Sequence, residues 1–359
     1  MENKFIKVTI VTNIPTPYRN PVFDMLGKDQ RYSFLIIFCA KSEPNRFWEL
    51  EPLSINHIFL SNTRHGVRHF NLKIIKVLQN DNPDIVITSG FSPTMIIAWI
   101  WALIKRRKHI PFSDANIHSE AHLSILHKWI RKIIYRYSHA FIGASNKTLD
   151  LFRKYRIGEE KLFLSCLAID NFKFSQHSIL KEYDLMFCGQ FIDGKNPVFF
   201  SDLVLNISKE KPEIKILLVG KGPLKVDCMN KLRDNKINYY DAEFVQPNDI
   251  PELYLKSKIF VFPTKRDAWG LVANEALAAG VPVLVTHEAG VAEELVVNKY
   301  NGYVFENFNL ENWAYIALRL LKDDQLYLRM SENARASVSA YTFSSAAEGI
   351  IDAIQYVSE

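Results

Sequence analysis

Short apolar runs rich in β-branched residues recur along the chain, separated by stretches whose apolar positions repeat at helical spacing. In the first half these runs are Lys7–Thr12, Phe34–Cys39, Asp84–Thr88, Ala140–Gly143 and Lys161–Ser165. In the second half they are Tyr183–Cys188, Ile214–Val219, Asn238–Asp241, Ile259–Phe262 and Val281–Val285. Runs without a polar face are what parallel strands need when helices cover both sides of the sheet, and strands alternating with helices imply βαβ units. Both halves read as doubly wound, Rossmann-like α/β domains facing a cleft. The polar stretch 171–181 lacks clear periodicity and reads as the linker between a first domain, 1–170, and a second, 182–340. Residues 341–359 read as a final helix that packs back across the junction.

Composition and charge narrow the class. Hydrophobic residues make up 48% and charged residues 23% of 359, the balance of a folded globular protein. The longest apolar run, Met95–Ile104, has half the length that a membrane span needs. It reads as a buried helix, with a membrane-dipping helix as the alternative. The first residues lack the layout of a signal peptide. The four cysteines are widely spaced, with no C-x-x-C pair, so neither a zinc site nor a disulfide framework is encoded and a cytoplasmic location fits. Net charge is +5, but residues 1–180 hold 25 Lys and Arg against 14 Asp and Glu, and the remainder is net acidic. Such polarity is expected where the first half meets an anionic partner, or is simply a solvated basic face. Lys105–Lys108 and His127–His139 mix cations with Trp129, Tyr135 and Tyr137. That mixture suits a membrane interface, or equally a solvated helix over a core stripe of Trp129, Ile133 and Ile134. No RNA or DNA motif accompanies it, so nucleic acid is not an expected partner.

The most informative segment is Val261–Val285 (VFPTKRDAWGLVANEALAAGVPVLV). A strand ends at Pro263, a polar loop follows, and Gly270 opens a helix that stops at Gly280. Amides of Gly270, Leu271 and Val272 then point out of a helix start at the carboxyl edge of a parallel sheet, which is a site for a phosphate. Asp267 and Glu275, with seven residues between them, frame this start. A carboxylate can accept hydrogen bonds from the two adjacent hydroxyls of a ribose, and one in the loop from sugar hydroxyls; a helix-face glutamate and a loop aspartate are the plainer readings.

This segment closely resembles the E-x7-E signature of the retaining glycosyltransferases of family 4, which have the two-Rossmann-domain GT-B fold. Further resemblance lies in Phe187-Cys188-Gly189-Gln190 with Lys195-Asn196, in Leu217 to Pro223, and in Phe244-Val245 with Ile250 to Tyr254. It runs over about residues 183–305 in the family's order and spacing. The first half matches through Val11 to Arg19, where Pro17, Tyr18 and Arg19 correspond to an acceptor-side loop. Two positions depart from the family. Asp267 stands where glutamate is usual, and Gln190 where many members have a phosphate-binding arginine.

The resemblance implies a nucleotide-diphosphate sugar donor in the second domain and an acceptor on the first. Glu275 would hold the ribose. Gln190, Lys195 and the amides of Gly270, Leu271 and Val272 would hold the diphosphate, with Phe244 and Val245 bordering the base and Asp267 holding sugar hydroxyls. Retention in this family is described as front-face attack, the departing phosphate taking the acceptor's proton. His118, with His122 second, corresponds to a first-domain histidine near the reacting sugar, and a loop or helix-face histidine is as good a reading. No D-x-D triplet occurs, so no metal and no cofactor is expected. The expected function is a metal-independent retaining transferase, peripheral on the cytoplasmic face of an anionic membrane, that glycosylates a lipid-linked or growing envelope glycan. A nucleotide-sugar epimerase of the same fold and a non-catalytic sugar-nucleotide-binding subunit are the alternatives. Gly220-Lys221-Gly222 with Lys225 is not the G-x-G-x-x-G fingerprint, and no G-x-x-x-x-G-K-[ST] loop exists, which removes the main support for dehydrogenase or kinase readings.

Overall fold

The computed structural model describes residues 5–44, 46–61, 69–121, 123–175 and 180–359. Two compact units partition the chain: Met1–Ala168 with Phe343–Glu359, and Ile169–Thr342.

The N-terminal unit is built on β1 (Ile6–Thr12), β2 (Tyr32–Phe38), β3 (His57–Phe59), β4 (Ile85–Ser89), β5 (Lys108–Ser113), β6 (Phe141–Gly143) and β7 (Leu162–Leu164). They lie in the order β3-β2-β1-β4-β5-β6-β7, and neighbouring strands pair in parallel. The inner strands are apolar on both faces because helices cover both; Val8, Ile36 and Val86 are buried. The helix Pro93–Ile104 sinks Met95, Ala98, Trp99, Trp101 and Ala102 into the core. Its last turn differs from the fully buried helix expected of so apolar a run, since Ile100, Leu103 and Ile104 face solvent. The terminal helix Phe343–Ser358 belongs to this unit. It approaches β7 so closely at Gly349 that a Cβ there would lie 1.8 Å from the Leu164 carbonyl oxygen, and the Ser165 hydroxyl donates to Ala346 O at 2.7 Å.

The C-terminal unit carries β8 (Tyr183–Cys188), β9 (Lys215–Val219), β10 (Asn238–Asp241), β11 (Ser257–Phe262), β12 (Val283–Thr286) and β13 (Gly302–Phe305). Their order is β10-β9-β8-β11-β12-β13, again parallel throughout. Phe187, Phe200 and Trp313 anchor one core layer, and Phe305 stacks on Trp313 with ring centroids 4.1 Å apart. The stretch read as a linker begins with a short helix, Asn171–Ser175, pinned by buried Phe174 against the edge of Tyr254. In this topology the strand order reverses between β8 and β11, and in the N-terminal unit between β1 and β4. Loops leaving the carboxyl ends of those pairs diverge, and the crevice between them is where ligands of doubly wound sheets sit.

Candidate functional site

In the C-terminal unit the two diverging loops are laced together. After β8 the chain passes Gly189 and half-buried Gln190, makes a 3₁₀ turn at Asp193–Lys195, and enters the helix Pro197–Ser208 through Asn196 at φ 55°. After β11 it passes Pro263 into buried Thr264. The Gly194 carbonyl accepts from the Thr264 hydroxyl at 2.8 Å and from the Lys265 amide at 3.0 Å. The Thr286 hydroxyl on β12 donates to Thr264 O at 2.5 Å. Across this clamp the Lys195 ammonium donates to Asp267 Oδ2, and its Nζ lies 5.6 Å from the centroid of the Phe262 ring. Asp267 Oδ1 accepts the Trp269 amide at 3.1 Å. The structure thus brings Lys195 and Asp267 together as a partly exposed ion pair at the switch point.

Gly270 caps the following helix, Leu271–Ala278, with φ 109°. Only glycine enters this backbone region without strain, and an added Cβ would lie 2.5 Å from Phe262 Cε1. The Gly270 carbonyl accepts the Ala273 amide; Leu271 and Val272 precede any residue that an intrahelical carbonyl could serve. No acidic side chain occupies the first turn, so the partial positive charge of the helix start is uncompensated there. An anion at this place gains both hydrogen bonds and the dipole.

Glu275 lies one turn further on. Its Oε2 accepts from the Tyr254 hydroxyl at 2.8 Å, and Tyr254 also reaches the Cys188 thiol at the end of β8. Burial pushes the carboxyl up to about 7 against the opposing effect of the tyrosine bond, and burial likewise drives the Cys188 thiol to about 12. Glu275 is therefore an acid poised near neutrality, able to accept from ligand hydroxyls once ionised. Sequence reasoning missed its partner; the available signal was a tyrosine in an apolar helix, whose hydroxyl needs a partner when buried. Phe244 and Val245 are half-buried in the loop beyond β10, at the same carboxyl edge. On this edge Gly220, at φ 129°, lets its loop approach so closely that a Cβ would meet Gly189 O at 1.9 Å.

In the N-terminal unit Pro17, Tyr18 and Arg19 leave β1 and lead into the helix Asn20–Leu26, which Arg19 caps. The Arg19 guanidinium lies 4.3 Å over the Phe112 ring and donates to the Ser165 hydroxyl at 3.4 Å. Desolvation lowers it to about 10, which leaves it cationic at neutral pH. Tyr18 meets Trp48 edge-on, with centroids 6.4 Å apart, and Arg46 lies over the same tryptophan. Burial and the Asp114 charge raise its hydroxyl. The residues Arg46, Trp48 and Asp114 carried no motif and were not singled out from the sequence. His118 stands exposed on the short helix Ile117–Ala121 after β5, and His122 lies outside the described residues. All four cysteines are buried and none is in a disulfide. Among the described residues no group of three or more His, Cys, Asp and Glu is placed to hold a metal ion, and no helix is long and apolar enough to cross a membrane.

Residues 168–337 match the family of glycosyl transferases group 1, so the C-terminal unit is a domain of that family. N-acetyl-alpha-D-glucosaminyl L-malate synthase of Bacillus anthracis is 31% identical over 38% of this chain and 36% of its own. D-inositol 3-phosphate glycosyltransferase of Corynebacterium urealyticum is 23% identical over 46% of this chain and 41% of its own. The aligned segments thus span less than half of either relative. Solved structures match over nearly the whole chain. Anabaena HepE, in complex with UDP and glucose, has TM-score 0.77 and 16% identity over 98% of this chain and 99% of its own. WaaG, a glycosyltransferase involved in lipopolysaccharide biosynthesis, has TM-score 0.68 and 17% identity over 96% and 98%. The fold is GT-B.

Proposed function

We propose that the protein is a retaining, metal-independent glycosyltransferase that moves a sugar from a nucleotide-diphosphate donor to a lipid-linked or growing envelope glycan at the cytoplasmic face of an anionic membrane. The observation that carries this reading is the convergence at one switch point of an uncompensated helix start, a lysine cation and two carboxylates. The helix amides and Lys195 bind the diphosphate and stabilise the charge that grows on it as the glycosidic bond breaks, the largest demand of such a transfer. Glu275 accepts from the ribose hydroxyls, and Gln190 supplies a neutral donor to the phosphates. Phe244 and Val245 flank the base, and Asp267 accepts from hydroxyls of the donor sugar once the lysine turns to phosphate. Pro17, Tyr18 and Arg19 face the acceptor, and His118 approaches the reacting sugar. The leaving phosphate takes the proton of the attacking hydroxyl, so the new bond forms on the face that the diphosphate leaves and the anomeric configuration is kept.

The HepE complex makes uridine donors the first to try. A calorimetric screen of nucleotide sugars against the purified protein, followed by transfer to glycan acceptors and NMR of the product anomer, tests the proposal. Donor binding followed by an α-linked product from an α-donor supports it. Binding without turnover would leave a sugar-nucleotide-binding subunit, and altered free nucleotide sugar would mean an epimerase.

A further inference from the structure

The helix Ile125–Arg136 in the N-terminal unit presents an unusual outer face. Its core side is Ile134 and Tyr135, with Arg131 drawn inward to an ion pair with Glu120 and a cation–π contact 4.6 Å over Phe91. The opposite stripe, at i, i+4, i+7 and i+11, is Ile125, Trp129, Lys132 and Arg136. Trp129, for which a membrane interface and a core stripe are equal readings of the sequence, is 61% exposed, beside Ile125 at 87% and Leu126 at 62%. The core lies under Ile130 and Ile134, so the stripe through Trp129 points away from it. Helix Ile125–Arg136 contains no acid, so nothing on it offsets its cations.

Beside it opens a cavity of about 770 Å³ whose wall includes Lys128, Lys132, Lys154 and Arg156. The carboxylate in that wall, Glu120, is spent: Arg131 holds one oxygen and the Tyr155 hydroxyl donates to the other at 2.5 Å. Among the described residues Lys132, Lys154 and Arg156 have no ion-pair partner. At the other end of the helix Arg136 and Tyr137 border a second cavity, of about 460 Å³, with Arg106 and Lys108. Arg107, between them, is already bound to Asp84 and Asn82.

We infer that this face seats the N-terminal unit on an anionic bilayer, with Ile125, Leu126 and Trp129 entering the interfacial layer and the cavity at Lys132, Lys154 and Arg156 taking the phosphate headgroup of a lipid. Three large apolar side chains at the N-terminal end of a cationic stripe match a surface that is anionic outside and apolar within. A nucleic acid offers the charge but no apolar layer for Ile125 and Leu126. The inference adds residues and a headgroup site to the membrane-side reading of the acceptor and rests on that reading only for its purpose.

Sedimentation of the full chain with phosphatidylcholine vesicles, alone or mixed with phosphatidylglycerol, tests it without donor or acceptor. Failure therefore leaves transfer to a soluble acceptor untouched. Binding is expected to the mixed vesicles only, to weaken as salt rises, and to shift tryptophan emission to the blue in wild type but not in Trp129→Phe. Joint Lys132→Gln, Lys154→Gln and Arg156→Gln should weaken it by about fivefold per charge, roughly a hundredfold together. Ile125→Ser with Leu126→Ser should also release the protein. All these side chains are exposed, and an unchanged unfolding midpoint shows that each variant is folded. Equal binding to neutral vesicles, or loss only on neutralising Lys105, Arg106, Arg107 and Lys108, would overturn the inference. So would inorganic phosphate binding with an affinity equal to that for vesicles, since the cavity would then be a free-phosphate site.

Discussion

The Lys195 ammonium reaches across from the turn after β8 to Asp267 in the loop after β11, and the two side chains neutralise each other at the switch point of the C-terminal sheet. On the proposed reading this pair marks where the diphosphate lies, at the sheet edge where the helix Leu271–Ala278 starts. On that reading a diphosphate, which carries more charge than a carboxylate, competes for the ammonium and frees Asp267 for sugar hydroxyls. The shorter acid in place of the family's usual glutamate is then positioned by its lysine and by the Trp269 amide.

Lys195→Ala should lower kcat by about 10²–10³, the usual cost of removing one preorganised charge stabiliser, and change KM for the donor far less. Charge on the diphosphate grows mainly in the transition state, and interactions that strengthen there appear in kcat. Steady-state kinetics check this, and a rise in KM at constant kcat would make the lysine a binding group alone.

Glu275 sets a pH dependence whose sign follows from its raised carboxyl, about 7 against an ordinary 4.5. Between these values the folded chain holds a proton that the unfolded chain has lost, so this group's contribution to stability is full below the lower value and is lost as pH rises toward 7. Nucleotide affinity runs the other way, because only the carboxylate accepts from both ribose hydroxyls. It should rise about tenfold from pH 6 to pH 8, following the ionised fraction. Glu275→Gln should flatten both trends. Tyr254→Phe, which removes the bond that favours the carboxylate, should move the midpoint upward. Calorimetric titration of nucleoside diphosphate across pH measures all three.

Much of the fold was legible because buried parallel strands leave a continuous apolar run; β1, β4, β8 and β11 are such runs. The strands that escaped lack one. β3 is three residues with a histidine, and β13 opens on Gly302. β5, by contrast, was legible around Ile110–Ser113 despite Pro111, which fits because β6 pairs only with Phe112 and Ser113 and leaves the proline no ladder bond to donate on that side. At the site, Gly270 and Glu275 were legible because a helix start and a spacing are local. The bond from Tyr254 to Glu275 was not, because it joins positions 21 residues apart. The face taken by Trp129 was not legible, because helical spacing gives a stripe but not which neighbour the stripe meets.

Gly270→Ala should destabilise the C-terminal unit by about 1–3 kcal/mol, from a left-handed backbone imposed on a residue with a Cβ, and from the 2.5 Å approach of that Cβ to Phe262. Relieving the contact with Phe262→Leu should recover only part of the loss, because φ stays at 109°. Urea midpoints of the single and double variants separate the two contributions. A wild-type midpoint for Gly270→Ala would show that the helix start adapts, and would remove the reason for its amides to be fixed toward a phosphate.

Transfer should continue in EDTA at its full rate. Two negative phosphates must be compensated as the bond breaks, and a divalent ion does this in sites that have carboxylates to hold it. Here the loop acid Asp267 turns to hydroxyls of the donor sugar once the diphosphate takes its lysine, and Glu275 is largely protonated below pH 7, so no pair of ionised carboxylates is left to hold a hard cation. The compensating charge instead comes from the lysine and the aligned amides, which are fixed in the fold and need no ion to arrive. Initial rates with and without chelator, repeated for Lys195→Ala, decide it. If EDTA abolishes transfer and added Mg²⁺ or Mn²⁺ restores it, an ion supplies the charge assigned to Lys195. A chelator-insensitive wild type beside a Lys195→Ala variant that added Mg²⁺ partly rescues would show lysine and metal as interchangeable counter-charges at one place.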